Sequence, residues 1–317
     1  MLNRHLFTAA LAVLVLFLCT TASAAPKIVA TIMPIHSLVA GVMQGVSEPD
    51  LIVRGVASPH HYQLRPSDAA KLQNASVVFW VGGSFETFLQ KPVSILGHNA
   101  RVVTLIETKE IRLLHNRRGG AWEDHDEQHG EHAGHTEHEN ELGHQQFDAH
   151  LWLDPENAKK IVDLIVVELS AVDPINAVTY ISNGGQLKHR IEMLALTLAK
   201  RLAPVRDTPY VVSHDAYQYL ERYYGLNAVG SITVSPEQRP SAQRLKALRV
   251  KIKELGARCV FSEPQFETAL VKTMIEGTSA KRGILDPLGS IFRPGADAYF
   301  DMMNANVSAI VDCLSKG

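Results

Sequence analysis

Residues 27–34, Lys27-Ile28-Val29-Ala30-Thr31-Ile32-Met33-Pro34, decide the fold. The stretch reads as a short β-branched strand over 27–33 that Pro34 ends, and a helix follows over 36–46. The same alternation continues outward. Strands read over 51–54, 77–81 and 101–105, and helices over 66–74 and 86–96. Pro66 suits the first turn of its helix. Further on, strands read over 210–213, 228–231, 259–261 and 283–286. Helices read over 155–172, 216–224, 241–255, 267–277 and 296–314. Strands alternating with helices predict an α/β protein whose parallel sheets are covered on both faces.

Two stretches interrupt the alternation. Residues 177–202 read as one long helix, with Leu187, Ile191, Leu194 and Leu198 on a single face. Only Gly184-Gly185 breaks it, and its place between two α/β halves suits a spine joining them. Residues 116–146 have almost no apolar side chains and are rich in His, Glu, Asp and Gly. Such a segment cannot bury a core and reads as a surface loop. The expected divisions are a leader over 1–24, a first lobe over 25–174, the linking helix over 175–203 and a second lobe over 204–317.

The leader sets the compartment. Arg4 precedes an uncharged apolar run of 14 residues from Leu6 to Cys19, and Ala22-Ser23-Ala24 supplies a small-x-small cleavage pattern. The run is too short to span a bilayer, so it reads as a secretory signal peptide cut after Ala24. The bulky Leu16-Phe17-Leu18 argue against lipidation at Cys19. The net charge of −2 offers no basic field for nucleic acid or an anionic membrane. Cys259 and Cys313 remain after cleavage. In an exported chain they suggest one disulfide, worth about 4 kcal/mol in the chain-entropy account, with two buried thiols as the alternative.

The chain has 15 histidines. Six lie in the acidic loop: His125, His129, His132, His135, His138 and His144. Three others, His60, His150 and His214, stand at predicted strand ends or their loops. Ligand sites in open parallel sheets gather beyond the carboxyl ends of strands, and Asp286 holds a comparable position. Three imidazoles with a carboxylate or water would make a tetrahedral zinc site. The spacing of these residues along the chain does not by itself bring them together, and local hydrogen bonding of each histidine is the plainer alternative.

Four segments carry a resemblance. Pro59-His60-His61-Tyr62-Gln63-Leu64-Arg65-Pro66-Ser67-Asp68, Asp148-Ala149-His150-Leu151-Trp152-Leu153-Asp154-Pro155, Ser213-His214-Asp215-Ala216 and Leu285-Asp286-Pro287-Leu288-Gly289 resemble, in order, the ligand segments of the zinc and manganese solute-binding proteins of ABC importers. The resemblance implies two α/β lobes joined by one long helix, with the metal in the cleft between them. It implies His60, His150 and His214 as ligands. It matches Asp286 to a ligand of manganese-binding members, and for zinc it leaves water or Asp286 as the fourth partner. Some zinc-binding members carry a glutamate just before the first histidine; Pro59 stands there in this chain.

Manganese-type members have a carboxylate at the position of His214. Imidazole there favours Zn(II) on ligand softness. The resemblance further implies a monomeric periplasmic protein that does not span the membrane and delivers zinc to an inner-membrane ABC permease. The acidic loop would bind further zinc weakly, to capture or buffer it, or would simply be solvated. A zinc hydrolase is disfavoured, because there is no H-E-x-x-H motif and no evident general base. A periplasmic zinc buffer or an adhesin remains as a further reading. Glu263 and Gln265 are candidates for orienting a ligand histidine, and Tyr62 and Tyr210 for lining the cleft.

Overall fold

The computed structural model describes residues 25–96, 100–117, 147–233, 240–266 and 269–315. The predicted leader and the histidine-rich stretch of the loop, with His125, His129, His132, His135, His138 and His144, lie outside them.

Two four-stranded sheets, each wholly parallel, form the frame. The first comprises β1 (Ile28–Ala30), β2 (Asp50–Leu51), β3 (Val77–Trp80) and β4 (Arg101–Thr104) in the order β2-β1-β3-β4. The second comprises β5 (Tyr210–His214), β6 (Ala228–Thr233), β7 (Cys259–Ser262) and β8 (Lys281–Ile284) in the order β6-β5-β7-β8. Each sheet therefore reverses winding direction next to its first strand, the kind of point where open α/β sheets bind ligands.

Helices cover the sheets. The first lobe has α1 (Met33–Val42), α2 (Pro66–Gln73), α3 (Gln90–Leu96) and α4 (Pro155–Val172). Helix α5 (Ala177–Leu202) is the predicted long helix with the predicted ends. The second lobe has α6 (Gln218–Tyr224), α7 (Ala242–Glu254), α8 (Ala269–Ile275) and α9 (Ala298–Leu314). Pro34 plays a different part from the one expected. It sits in the first turn of α1 rather than ending a strand, because a ring without an N–H fits where the helix has no acceptor to offer. The strand before it shortens accordingly.

The second sheet is buried on both faces. Tyr210 and Val212 join the large core that also holds Val29, Phe79, Trp152 and Leu198, whereas Val211 and Val260 pack with Leu248, Ile252 and Met274 on the other side. Alternating side chains along a strand produce this division. The large core runs through both lobes without a break. Helix α9 helps to close it: Tyr299 N–H donates to Ser37 Oγ of α1 at 2.9 Å, and Tyr299 Oη donates to the Trp152 carbonyl at 3.1 Å. Cys259 of β7 and Cys313 of α9 form a disulfide, with Cα atoms 6.2 Å apart. It ties the last helix to the second sheet.

Gly184 and Gly185 in α5 have different roles. A Cβ on Gly184 would run into Val166 of α4, so α4 and α5 pack closely only because it is absent. A Cβ on Gly185 would meet nothing within 4 Å. Gly184→Ala is therefore expected to destabilise the fold by about 1–3 kcal/mol through overpacking. Gly185→Ala is expected to stabilise it by about 0.5–1 kcal/mol through helix propensity. Urea unfolding of the two variants checks these opposite signs.

Candidate metal centre

His60, His150 and His214 reach one point from three separate segments. His60 follows β2 in a loop that Asp68 shapes: Asp68 Oδ2 accepts from Tyr62 Oη at 2.8 Å and from Arg65 N–H at 3.3 Å. The Pro-Ser-Asp part of the motif thus starts α2 and closes the turn behind His60. His214 is the last residue of β5. His150 lies in a loop rather than at a strand end. It precedes a 3-10 turn, Leu151–Leu153, that leads into α4.

The motif around His150 divides its tasks. Asp148 Oδ1 accepts from His150 N–H at 2.9 Å and lies 2.7 Å from ring Nδ1. Trp152 is fully buried and donates its indole N–H to the Pro287 carbonyl at 2.8 Å, locking the segment to the loop after β8. Asp154 caps α4 through Glu156 N–H, and Pro155 occupies its first turn. From the other side Tyr219 Oη donates to the Asp148 carbonyl at 2.8 Å.

The ring centroids of His150 and His214 are 5.0 Å apart, those of His60 and His214 5.4 Å, and those of His60 and His150 6.0 Å. One ligating atom from each lies within 4.8 Å of the others, and among the described residues these three alone form such a group. A tetrahedral zinc with bonds of about 2.0–2.1 Å would set the nitrogens roughly 3.3 Å apart, so modest side-chain adjustment closes the set. Phe85, fully buried, packs edge-on against His60 at 4.7 Å and His150 at 5.3 Å.

Two carboxylates stand behind the imidazoles. Asp148 engages Nδ1 of His150 and leaves Nε2 for a metal. Glu263 Oε2 lies 3.5 Å from Nδ1 of His214, an ion-pair distance rather than a well-formed hydrogen bond. Burial is the largest influence on His214 and opposes a proton there, but Glu263, with Asp215 and Asp148, together outweighs it and leaves this imidazole above its ordinary value. His60 goes the other way: burial, with His214 and His150 nearby, holds it well below that value.

Asp286 is not in the group. Its Oδ2 accepts from the N–H and hydroxyl of Ser290, each at 2.7 Å, and its Oδ1 from Leu288 N–H at 3.1 Å and Gln265 Nε2 at 2.9 Å. The carboxylate folds its own loop, where Gly289 (φ +66°) packs too close to Met302 to carry a Cβ. Gln265 therefore contacts Asp286 rather than a histidine. Tyr62 and Tyr210 do not line the histidine cavity. The sequence reading assigned no role to Asp148 or Phe85. The Asp-x-His spacing was the available signal for Asp148, since an Asp side chain readily caps the backbone two residues on.

Comparison with known proteins shows the family of this chain. The family described as ZnuA, zinc-uptake complex component A, periplasmic, matches residues 28–313. The chain belongs to this family. The high-affinity zinc uptake system protein ZnuA of Brucella suis is 44% identical over 310 residues, covering 91% of this chain and 92% of its own length. A solved zinc-bound ZnuA deletion mutant superposes with a TM-score of 0.75 at 25% identity, over 92% of this chain and 99% of that one. The fold alone does not select the metal. A manganese-bound periplasmic protein from Candidatus Liberibacter asiaticus superposes with a TM-score of 0.73 at 21% identity, over 91% of this chain and all of that one. Members of the ZnuA family are solute-binding components of transport systems.

The opposite shifts give a direct test on the metal-free protein. As pH falls, His214 is expected to take up its proton before His60, starting above pH 6.5. Glu263→Gln removes the strongest of the influences that raise His214, leaving Asp215 and Asp148 against the larger effect of burial. NMR titration of the two imidazoles should show the order, and should show His214 moving down in the variant.

Proposed function

We propose that this chain is the periplasmic zinc-binding component of a high-affinity ABC importer. It binds Zn(II) through His60, His150 and His214 in the cleft between its lobes and delivers it to the inner-membrane permease. The convergence of three imidazoles, two of them backed by carboxylates, carries the reading. The ZnuA relatives, named for high-affinity zinc uptake, support the cargo. So does the donor set, because three neutral imidazoles suit zinc better than manganese.

On this reading residues 1–24 direct export and are removed. The lobes comprise 25–174 and 204–317, joined by 175–203, and the protein acts as a monomer. No helix among the described residues is long and apolar enough to cross a membrane. The six loop histidines would hold further zinc weakly and feed or buffer the central site. Binding is the whole task of this protein, and catalysis has no part in it.

The test is competitive titration of zinc and manganese against a chelator of known affinity, using the full-length chain with the six loop histidines replaced by alanine. One tight zinc per chain with much weaker manganese is expected. Asp148→Asn should weaken zinc roughly 10–100-fold, the usual range for a carboxylate behind a ligand histidine. His60→Ala should cost more than that. In a strain lacking the protein, the intact gene should restore growth under zinc chelation and the His60→Ala gene should not. Tight binding by the His60→Ala protein would overturn the ligand assignment.

A further inference from the structure

A tetrahedral shell on three histidines needs a fourth donor, and the carboxylates near the cavity are committed elsewhere. Asp148 serves His150 through Oδ1, Glu263 faces His214, and Asp286 accepts four hydrogen bonds within and around its loop. None of the three belongs to the group of mutually close ligating atoms. Ser58 Oγ already accepts from His60 N–H, and Pro59 has no donor atom in its side chain.

Gln265 lines the same cavity as the three histidines. Its Nε2 donates to Asp286 Oδ1 at 2.9 Å. An ionised carboxylate can only accept, and this one also receives two backbone N–H groups. The amide orientation is therefore dictated by chemistry: the NH2 faces Asp286 and the carbonyl faces away. The carbonyl atom, Oε1, is buried and has no hydrogen-bond partner among the described residues. A buried amide oxygen without a donor is uncommon and calls for one. The cavity offers about 10 Å³ of free space, suited to a water-sized group rather than an organic ligand.

We propose that Gln265 is a positioning residue for the fourth zinc position, its Oε1 accepting a hydrogen bond from a zinc-bound water while Asp286 fixes the amide orientation. The inference rests on the zinc reading above. Asp286, which the resemblance matches to a metal ligand, then acts one step removed, through Gln265.

A double-mutant cycle tests this on the full-length chain with the six loop histidines replaced by alanine, read by zinc affinity and by the visible spectrum of the cobalt(II)-loaded protein. Gln265→Met keeps length and removes the acceptor. It should weaken zinc about tenfold, within the range for groups just outside the ligand shell, and shift the cobalt bands. Asp286→Asn introduces an N–H donor at position 286. That lets the Gln265 amide invert, so a similar loss is expected, and the double variant should be no worse than Gln265→Met. Unchanged affinity and cobalt spectrum in Gln265→Met would overturn the proposal, and so would full additivity of the two losses. If Asp286→Asn fails to fold, Gln265→Met decides alone by its cobalt spectrum. A wild-type chain without tight zinc, or one whose tight zinc survives His60→Ala, would sink the zinc reading itself. Tight zinc lost with His60→Ala but untouched by Gln265→Met would sink only this inference.

Discussion

Three imidazoles brought together edge-on and tilted in a buried space are the constraint around which this molecule is arranged. Together they favour a cation, yet they cannot all carry protons. Burial first, and then the neighbouring His214 and His150, give His60 its low proton affinity. Asp148 and Glu263 fix two of the rings from behind, and Phe85 wedges His60 against His150. A site prepared in this way loses little ordering entropy when an ion arrives. Its rings are also partly stripped of water before binding, so an ion replaces solvent that the apolar wall has already thinned.

The sheets and the core serve that placement. Each sheet has the same winding. His214 ends the first strand of the second sheet, and His60 extends from the loop after the edge strand of the first. The segment carrying His150 belongs to neither sheet. It is held by Trp152 bonding to the Pro287 carbonyl and by Tyr219 bonding to the Asp148 carbonyl. Both bonds reach into the second half of the chain. The core that buries Trp152 continues through α5 and α9, so the three histidines rest on one packed body. The disulfide adds a covalent tie at its far end.

Much of this was legible in the sequence, for physical reasons. Apolar residues at three- and four-residue spacings revealed α5 and its buried face, and alternating short strands and helices implied the parallel sheets. What escaped were features set by partners distant in the chain. Pro34 reads as a strand terminator until α1 is seen to begin at Met33. His150 reads as a residue at a strand end or in a loop, and nothing in the sequence shows that a 3-10 turn separates it from α4. The motif containing Asp286 pointed to a ligand. Only the positions of Ser290, Leu288 and Gln265 show its carboxylate occupied with its own loop. The Gly184-Gly185 pair looked like a flaw in a helix, and one half of it proved to be a close contact with Val166.

The central claim is that His60, His150 and His214 together hold one zinc between the two sheets. Anomalous diffraction at the zinc edge, from crystals of the zinc-loaded full-length chain with the six loop histidines replaced by alanine, tests it most directly. The account predicts one strong peak about 2.0–2.1 Å from a nitrogen of each histidine, with no side-chain oxygen of Asp286 bonded to the ion. A peak elsewhere, or an ion bound by Asp286 with one of the three histidines turned away, would contradict it.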